Sequence, residues 1–317
     1  MKRFLGVVVA VVVVAALAVA GIYGVKRLRE RSESQPGLFV PAAMATSIAA
    51  LPDGGFLYGE QRSGRVFEIG PDGTARGLVA EVDVATNGDR GLRGLAVDAT
   101  GHRRFASWVA PDGRFRVGEL TPGGVVVVWD GPLTGERGNG GRIVWAPRGV
   151  VVFGVGNQDG PNRSAEPASL LGRLLLIAPV GPPTQVPATL SSGWNDPGGL
   201  TYDPAGHLWV ADGSAAVAGA RIARGDVDGR PTEASPLSDG VSPVGLAATD
   251  ADDLVTCNSA PGSVQRYSTA GGRAELTQDQ VTPCRYDVAV LADGRWAIAL
   301  DDGIRVEDPP SAGTGAN

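Results

Sequence analysis

Polar and charged side chains gather at the ends of short apolar runs, where connecting loops would bring them together. Carboxylates, amides and guanidinium groups in one place could bind a sugar, a cation or a polar cofactor. Loops are polar in most proteins, so any single one of these side chains is equally well explained as solvated. The residues that we place at this common rim are Glu60, Arg62, Asp89, Arg90, Glu136, Arg137, Asn139, Asn157, Gln158, Asp159, Trp194, Asn195, Asp196, Asp212, Ser242, Asn258, Arg285, Tyr286, Asp301 and Asp302.

The two histidines of the chain are predicted to lie away from this rim. His102 and His207 each follow a glycine in a short turn between two apolar runs. The same turns would form the opposite end of the molecule, so the rim has no histidine general base. Calcium could still be bound there, because its ligands are carboxylate, amide and backbone oxygens.

A repeated pattern of strands would position the rim. An apolar strand, a turn with Asp, Pro or Gly, and a second apolar strand recur six times, at spacings of 47, 48, 57, 46 and 42 residues. A constant period of this size indicates stacked structural units, here small antiparallel sheets. The sequence therefore predicts an all-β, six-bladed β-propeller. The equivalent positions are Ile48, Leu95, Ile143, Leu200, Leu246 and Val288.

The boundaries of the propeller follow from the last repeat, which is short. We expect residues 38–40 to supply the missing strand and close the ring, so that the propeller covers residues 38–308. Residues 309–317, rich in Pro, Gly and Ser, form a predicted disordered tail. The 57-residue spacing predicts a longer insertion within residues 157–188 of the third blade.

Residues 1–25 are predicted to be either a signal-anchor helix or a cleaved signal peptide. Residues 4–25 carry no charge, and twenty-two helical residues span about 33 Å, enough to cross a bilayer. Ala18-Val19-Ala20 fits a cleavage site before Gly21. Residues 26–37 form a charged linker. Its basic residues favour a cytoplasmic body by the positive-inside rule.

The cysteines favour the opposite orientation. Cys257 and Cys284 are the two cysteines of the chain, and an even number behind an export-like N-terminus predicts one disulfide in an oxidising compartment. Two unpaired thiols are the alternative. We favour a propeller outside the cytoplasm, anchored in the cell membrane by the helix, or secreted if that segment is removed.

The charge of the chain limits its partners. Residues 37–317 hold 22 basic and 32 acidic side chains, a net charge of −10. Because binding to phosphate backbones needs a basic surface, an acidic propeller argues against a nucleic-acid partner.

Several segments, in order along the chain, resemble the glucose/sorbosone dehydrogenase family of sugar dehydrogenases. The similarity covers about residues 45–215, four of the six blades. The segments are Leu51–Val66 (LPDGGFLYGEQRSGRV), Arg90–Asp98 (RGLRGLAVD), Gly138–Pro147 (GNGGRIVWAP), Val151–Asn157 (VVFGVGN), Ser169–Ile177 (SLLGRLLLI) and Asn195–Gly213 (NDPGGLTYDPAGHLWVADG).

The resemblance implies a propeller that binds pyrroloquinoline quinone (PQQ) with calcium and oxidises aldoses, a histidine accepting the sugar hydroxyl proton. That histidine falls on Gly138, and other family ligands fall on Asp89, Asn195, Asp196 and Asp212. Candidates for the proton acceptor are Glu136, Arg137 and Asp196. Predicted cofactor ligands are Asp89, Arg90, Asn139, Asn157, Gln158, Asn195 and Asp212. Candidate metal ligands are Asp89, Asp196, Asp212 and Asp301.

Three functions remain open from the sequence. The first is a PQQ-dependent sugar dehydrogenase with a substituted base. The second is a non-catalytic propeller that binds a glycan or a protein at the cell envelope. The third is a calcium-dependent, lactonase-like hydrolase, which would need several of the rim carboxylates to converge on one ion.

Overall fold

Short strands account for the regular structure of the described chain. The computed structural model describes residues 37–160, 163, 166, 168–213, 219–226, 234–238, 240–249, 252–279 and 281–310. The predicted span 4–25, the linker up to residue 36 and the tail from residue 311 lie outside the described residues. Within these ranges, no helix has the length and apolar character needed to cross a membrane.

The strands are connected in simple succession, and each blade pairs neighbours in the chain as an antiparallel sheet. In chain order they are β1 (Leu38–Pro41), β2 (Ala45–Ala50), β3 (Phe56–Glu60), β4 (Arg65–Ile69), β5 (Ala75–Glu81), β6 (Leu92–Val97), β7 (Arg104–Val109), β8 (Arg114–Thr121), β9 (Gly124–Leu133), β10 (Gly140–Trp145), β11 (Val151–Val155), β12 (Arg173–Ile177), β13 (Ala188–Ser192), β14 (Asp196–Tyr202), β15 (Leu208–Gly213), β16 (Arg221–Arg224), β17 (Ser235–Pro236), β18 (Ser242–Ala248), β19 (Asp253–Ala260), β20 (Ser263–Ser268), β21 (Glu275–Gln278), β22 (Val288–Val290), β23 (Trp296–Ala299) and β24 (Gly303–Glu307).

These strands form six four-stranded sheets in the described chain, which confirms the predicted six-bladed propeller. Blade 1 is β2–β5, blade 2 is β6–β9, blade 3 is β10–β13, blade 4 is β14–β17 and blade 5 is β18–β21. Blade 6 is ordered β22, β23, β24, β1, so the N-terminal strand supplies its outer edge as the short last repeat predicts. The innermost strands of successive blades are in contact, and β22 contacts β2 to close the ring.

The core lies between the blades, because each sheet packs a face of apolar side chains on its neighbour. Leu57 and Trp108 belong to the cluster between blades 1 and 2, and Phe115 and Phe153 to the cluster between blades 2 and 3. Such packing sets the position of each inner strand, and the inner strands in turn carry most of the site.

The turn chemistry read from the sequence is confirmed at the end of the molecule opposite the predicted rim. Gly54 and Gly206 both have positive φ (89° and 83°) in the tight turns that join the first and second strands of blades 1 and 4. A left-handed residue in such a turn favours glycine, which has no Cβ to clash with its own backbone.

The disulfide predicted between Cys257 and Cys284 is present. It joins β19 of blade 5 to the segment that leads into β22 of blade 6, and both cysteines are buried. The longer third blade is also confirmed, since 17 residues separate β11 from β12 and ten separate β12 from β13.

Candidate functional site

A pocket of about 590 Å³ opens where the inner strands begin. We call it the mouth pocket. The described residues that line it are Thr46, Gln61, Gly88, Asp89, Arg93, Arg137, Gly138, Arg142, Asn157, Asp159, Asn195, Asp196, Gly198, Ser242, Pro243, Val244, Ser259, Arg285 and Tyr286. Because an inner strand starts, and a second strand ends, at the same face of every blade, these residues come from all six blades.

The start of β14 is held by a buried carboxylate from β15. Asp212 is fully buried and accepts hydrogen bonds from the backbone amides of Asn195 (2.9 Å) and Asp196 (2.8 Å). It also forms an ion pair with Arg221 at 2.8 Å. Burial raises the pKa of Asp212 to about 6, although Arg221 and the two amides favour its charged form. Asp212 therefore positions its neighbours and does not line the mouth pocket, in contrast to its prediction as a cofactor or metal ligand.

Asp196 is the carboxylate that this arrangement presents to the pocket. It is half-buried, and its Oδ1 accepts a hydrogen bond from the backbone amide of Gly140 at 2.7 Å. Burial raises its pKa, and the nearby charges of Asp89 and Asp159 raise it further, while Arg93 opposes them. The neutral form of this pocket-lining carboxyl group is therefore more favoured in the protein than it would be in water.

Asp89 lines the pocket, whereas the two neighbouring candidates shape its loops. Buried Asn139 donates to Asp89 Oδ1 and to the carbonyl of Gly135 (3.1 Å), and its Oδ1 accepts from the Gly135 amide at 2.9 Å. Arg90 donates from Nε to Thr134 Oγ1 and from Nη2 to the Thr134 carbonyl, both at 3.0 Å. Asn139 and Arg90 were predicted as cofactor ligands, but these bonds direct them into the protein.

The turn after β11 contains three predicted rim residues, of which two line the mouth pocket. Asn157 lines the pocket and donates to Asn195 Oδ1 at 3.0 Å. Gln158 points away, because its Nε2 donates to the carbonyl of Leu133 at 2.7 Å. Asp159 is exposed and lines the pocket. Both Gln158 and Asp159 adopt positive φ (54° and 58°), which is uncommon for residues other than glycine.

The loop before β10 carries two proposed proton acceptors and a glycine. Glu136 is exposed and does not line the mouth pocket, whereas Arg137 is exposed and does. Gly138 is buried with φ 62°, and a Cβ at this position would lie 3.0 Å from both the amide nitrogen and Oδ1 of Asp159. Asp159 therefore occupies the space into which a side chain at residue 138 would extend.

The segment before β22 supplies the opposite side of the mouth. Arg285 donates to the carbonyl of Ser259 at 2.6 Å, and the hydroxyl of Tyr286 donates to Asp301 Oδ1 at 2.9 Å. Burial raises the pKa of Tyr286, and its bond to Asp301 adds to the effect. Asp301 itself is exposed and lies outside the mouth pocket.

Two arginines of the inner strands were missed as site residues. Arg93 lines the pocket and donates from Nε to the carbonyl of Gly140 at 3.0 Å. Arg142 lies deeper, at the floor. Each stands inside an apolar strand, where a charged side chain has no place in the interblade core. That contradiction with the surrounding pattern is the signal that could have identified both.

The remaining rim predictions separate into two groups. Ser242 lines the mouth pocket as predicted. Glu60, Arg62, Trp194, Asn258 and Asp302 do not, and neither do His102 and His207. Both Trp194, between β13 and β14, and Asn258, in β19, are buried. Trp194 donates a hydrogen bond to Ser191, and Asn258 donates one to Gln265.

The four candidate metal ligands do not share a site. Asp89 and Asp196 line the pocket, Asp212 is buried behind it, and Asp301 is outside. In the described ranges no group of three or more His, Cys, Asp or Glu residues is arranged to hold a metal ion. The convergence of carboxylates that a calcium-dependent hydrolase requires is therefore not seen among the described residues.

Comparison with known proteins defines the class of this propeller. The family described as Glucose / Sorbosone dehydrogenase matches residues 42–215, more than half of the chain. The chain belongs to this family. Comparison with curated proteins gives no significant match.

Solved structures share the fold at low sequence identity. The PQQ-bound aldose sugar dehydrogenase of Streptomyces coelicolor matches with TM-score 0.72 and 18% identity, over 87% of this chain and 96% of that one. The apo aldose sugar dehydrogenase of Escherichia coli gives 0.68 and 19%, over 84% and 96%. A gluconolactonase of Xanthomonas campestris gives 0.59 and 16%, over 86% and 89%.

The donors of the mouth pocket suit an anionic organic cofactor better than a metal ion. PQQ carries carboxylate groups, and guanidinium groups are the side chains best suited to bind them. Arg93, Arg137 and Arg285 line the pocket, and none forms an ion pair with another residue of its lining. These guanidinium groups therefore fit the carboxylates of the quinone, although Asp89, Asp159 and Asp196 line the same pocket. Among the described residues, no group of three or more His, Cys, Asp or Glu side chains is arranged to hold a metal ion.

Proposed function

We propose that the chain is a PQQ-dependent oxidoreductase that acts on aldoses and uses Asp196 as its proton acceptor. Support comes from family membership and from a mouth pocket in which guanidinium groups stand beside a half-buried carboxylate. When bound, the quinone would supply the two-electron oxidation by taking a hydride from the anomeric carbon. Arg93, Arg137 and Arg285 are the residues that would hold its carboxylates.

The choice of Asp196 among the three candidate bases rests on geometry and chemistry. Glu136 does not line the pocket. Arg137 lines it, but a guanidinium group has hydrogen-bond donors and no acceptor atom, so it cannot act as a base. Asp196 lines the pocket, and its Oδ1 accepts a hydrogen bond from the Gly140 amide. Burial raises its pKa toward the range in which a carboxylate accepts protons efficiently. This combination is the observation that carries the proposal.

The test is a titration of the full chain, kept in mild detergent because residues 4–25 are apolar. PQQ binding is measured by calorimetry with calcium and, in parallel, with a chelator, and an aldose panel is then added with a dye acceptor. We expect saturable binding and sugar-dependent dye reduction. No binding at micromolar protein would contradict the proposal.

A non-catalytic propeller that binds a glycan at the envelope is the second candidate. One observation favours it: glycine stands where the family resemblance places the histidine base, and Asp159 fills the space beside it. In the same titration this candidate predicts binding of sugar without quinone and no dye reduction. Localisation follows the same reasoning for both candidates. We propose that the propeller lies outside the cytoplasm, tethered through the apolar segment.

A further inference from the structure

One layer around the propeller axis combines four small residues with two opposite charges. It consists of the residues that immediately precede the six equivalent repeat positions, namely Ser47, Gly94, Arg142, Gly199, Gly245 and Asp287. Serine and glycine leave the axis clear, whereas the arginine comes from blade 3 and the aspartate from blade 6. In a ring of six, these two blades face each other across the axis.

The two charged side chains meet. Arg142 Nη1 lies 3.0 Å from Asp287 Oδ2, and the side chains are only 10% and 8% exposed. Arg142 Nη2 also donates to the carbonyl of Tyr286 at 3.0 Å and to the carbonyl of Val244 in blade 5. Three of the five N–H groups of this guanidinium are therefore used to join blade 3 to blades 5 and 6.

Asp287 extends the connection to blade 1. Its Oδ2 accepts a hydrogen bond from the backbone amide of Ile48 at 2.8 Å, across the junction where the ring closes. Gly245 makes room for this carboxylate, because a Cβ at that position would collide with Asp287 Oδ1 and lie 2.9 Å from its Cα. The small residues of the layer are thus part of the same arrangement.

This layer also separates two cavities. Above it is the mouth pocket. Below it is an axial channel of about 220 Å³, lined by residues such as Ser47, Gly199 and Asp287. Among the described residues, Arg142 alone lines both cavities. The boundary between the two cavities falls between adjacent residues of the chain. Thr46 and Tyr286 line the mouth pocket, whereas the residues that follow them, Ser47 and Asp287, line the channel.

We propose that the Arg142–Asp287 pair is an axial plug, which closes the floor of the mouth pocket and positions the segments that line it. The pair fixes the carbonyls of Val244 and Tyr286 and the amide of Ile48, so that three lining segments are held from below. The mouth pocket is consequently blind, and its ligand enters and leaves by the mouth alone. This role of the pair does not depend on which ligand the pocket takes.

An ion pair buried in this way fixes the relative position of the strands that carry it, and it contributes less to the free energy of folding. Desolvation offsets much of the attraction between two buried charges, but removal of one partner leaves the other unpaired in the interior. Other parts of the propeller are held by apolar packing between blades. The axis of this propeller is instead held by directional bonds, which specify the relative placement of four inner strands.

The experiment compares Arg142→Met with the parent full chain by amide hydrogen exchange. The amide of Ile48 reports directly on Asp287, and the amide of Tyr286, bonded to the carbonyl of Ala299, reports on the lining segment. We expect exchange at both amides to become at least about tenfold faster, the fold-change that a loss of one to two hydrogen bonds gives. Exchange in β7 should change far less.

Arg103→Met is the matched control. Arg103 forms an ion pair with Glu119 at 2.8 Å and donates to the carbonyl of Pro179 at 3.0 Å, at the opposite end of the molecule. The Arg103→Met substitution should lower the free energy of unfolding without changing any contact of the Arg142–Asp287 pair. Exchange at the amides of Ile48 and Tyr286 should therefore stay near the parent value after correction for global unfolding. Equal acceleration in both variants, or none in Arg142→Met, would overturn the proposal.

Conservative variants keep the test decisive if Arg142→Met does not fold. Arg142→Lys retains the charge but carries its donors on one nitrogen in place of the planar guanidinium group. Asp287→Asn retains the shape of the side chain but not its charge. We expect smaller accelerations at the same two amides in both. Parent-like exchange at these amides in both folded variants would equally overturn the positioning role.

Discussion

Asp196 and Asp212 show how the same residue type takes two roles within one strand pair. Asp212 is fully buried, and its carboxylate accepts hydrogen bonds from two backbone amides and forms an ion pair with Arg221. Asp196 has one oxygen held by the Gly140 amide and is half-buried at the pocket surface. Because the bonds of Asp212 hold the backbone of Asp196 in place, the first carboxylate is structural and the second is available for chemistry.

Substitution of Asp196 tests its proposed role as the proton acceptor. We expect Asp196→Asn to lower kcat for sugar-dependent dye reduction by about two to four orders of magnitude, the usual contribution of a general base. Binding of the anionic quinone should be unchanged or tighter, since a negative charge is removed. Steady-state kinetics and calorimetry check the two parts. Glu136→Gln, a change at an exposed carboxylate that does not line the pocket, should leave both near parent values.

The pH profile of the parent protein belongs to the same prediction. The carboxylate form of Asp196 accepts the proton, so kcat rises as the pH rises through its pKa. Burial and two neighbouring aspartates raise that pKa, so the acid limb should lie above the range of an ordinary aspartate. An acid limb that persists in Asp196→Asn would assign the titration to another group.

The sequence predicts which residues lie near the pocket better than it predicts the directions in which their side chains point. Asp89, Asn157, Asn195 and Asp196 were predicted and line the pocket. Arg90 and Gln158 were predicted with equal reason but point into the protein, because nearby loop carbonyls accept their hydrogen bonds. Loop position can be read from a repeat, whereas the direction of a side chain depends on partners from other blades.

At the scale of the element, the start of β10 has a backbone that only glycine adopts readily. Gly138, Gly140 and Gly141 have φ of 62°, 69° and 95°, and the ladder to β11 is irregular between Gly140 and Ile143. This irregular start lets the two peptide groups of Gly140 face Asp196 and Arg93. A regular strand would direct those groups into the ladder.

A side chain at residue 138 should disturb this element. We expect Gly138→Ala to lower the free energy of unfolding by about 1–2 kcal/mol, from the left-handed backbone and the contact with Asp159. Because Asp159 must move, pocket affinity should also fall. Denaturant unfolding and calorimetry measure the two effects.

Gly206→Ala is the control for that variant. Gly206 has φ 83° with open space around its Cβ position, in a turn far from the mouth. It should show the backbone cost of about 1 kcal/mol without any change in pocket affinity. If the two variants behaved alike, the contact with Asp159 would have no role.

The elements themselves followed from the sequence more completely than the site did. Period, turn residues and the short last repeat were sufficient for six blades and for the closing strand, since each depends on local pattern. The axial layer was also present in the repeat register. Its meaning was missed because Arg142 and Asp287 are 145 residues apart and meet only once the ring is closed.

At the scale of the whole molecule, the disulfide bears on the proposed compartment of the protein. Cys257 and Cys284 are paired as an oxidising compartment would allow. The proposal of an anchored propeller outside the cytoplasm therefore makes two measurable statements. One concerns attachment and the other the compartment.

We expect the mature protein to remain with membranes after a high-salt wash, because an apolar span of this length does not depend on charge for its attachment. Protease added to intact cells that lack an outer barrier should reach the propeller. Recovery as a free species that begins near Gly21 would show instead that the segment is cleaved. Release by salt alone would contradict both versions.

The outer position of β1 in blade 6 also has a consequence in time. Its partner β24 ends at Glu307, so among the described residues the first strand pairs with the last. Five blades can form from neighbouring segments while the chain is still emerging, but the sixth must wait for nearly the whole chain. Until then, β1 has no partner strand, and the apolar faces of blades 1 and 5 that pack on blade 6 are exposed. Exposed strands and apolar faces both promote aggregation. Ring closure is therefore the late, vulnerable step in the biogenesis of this protein.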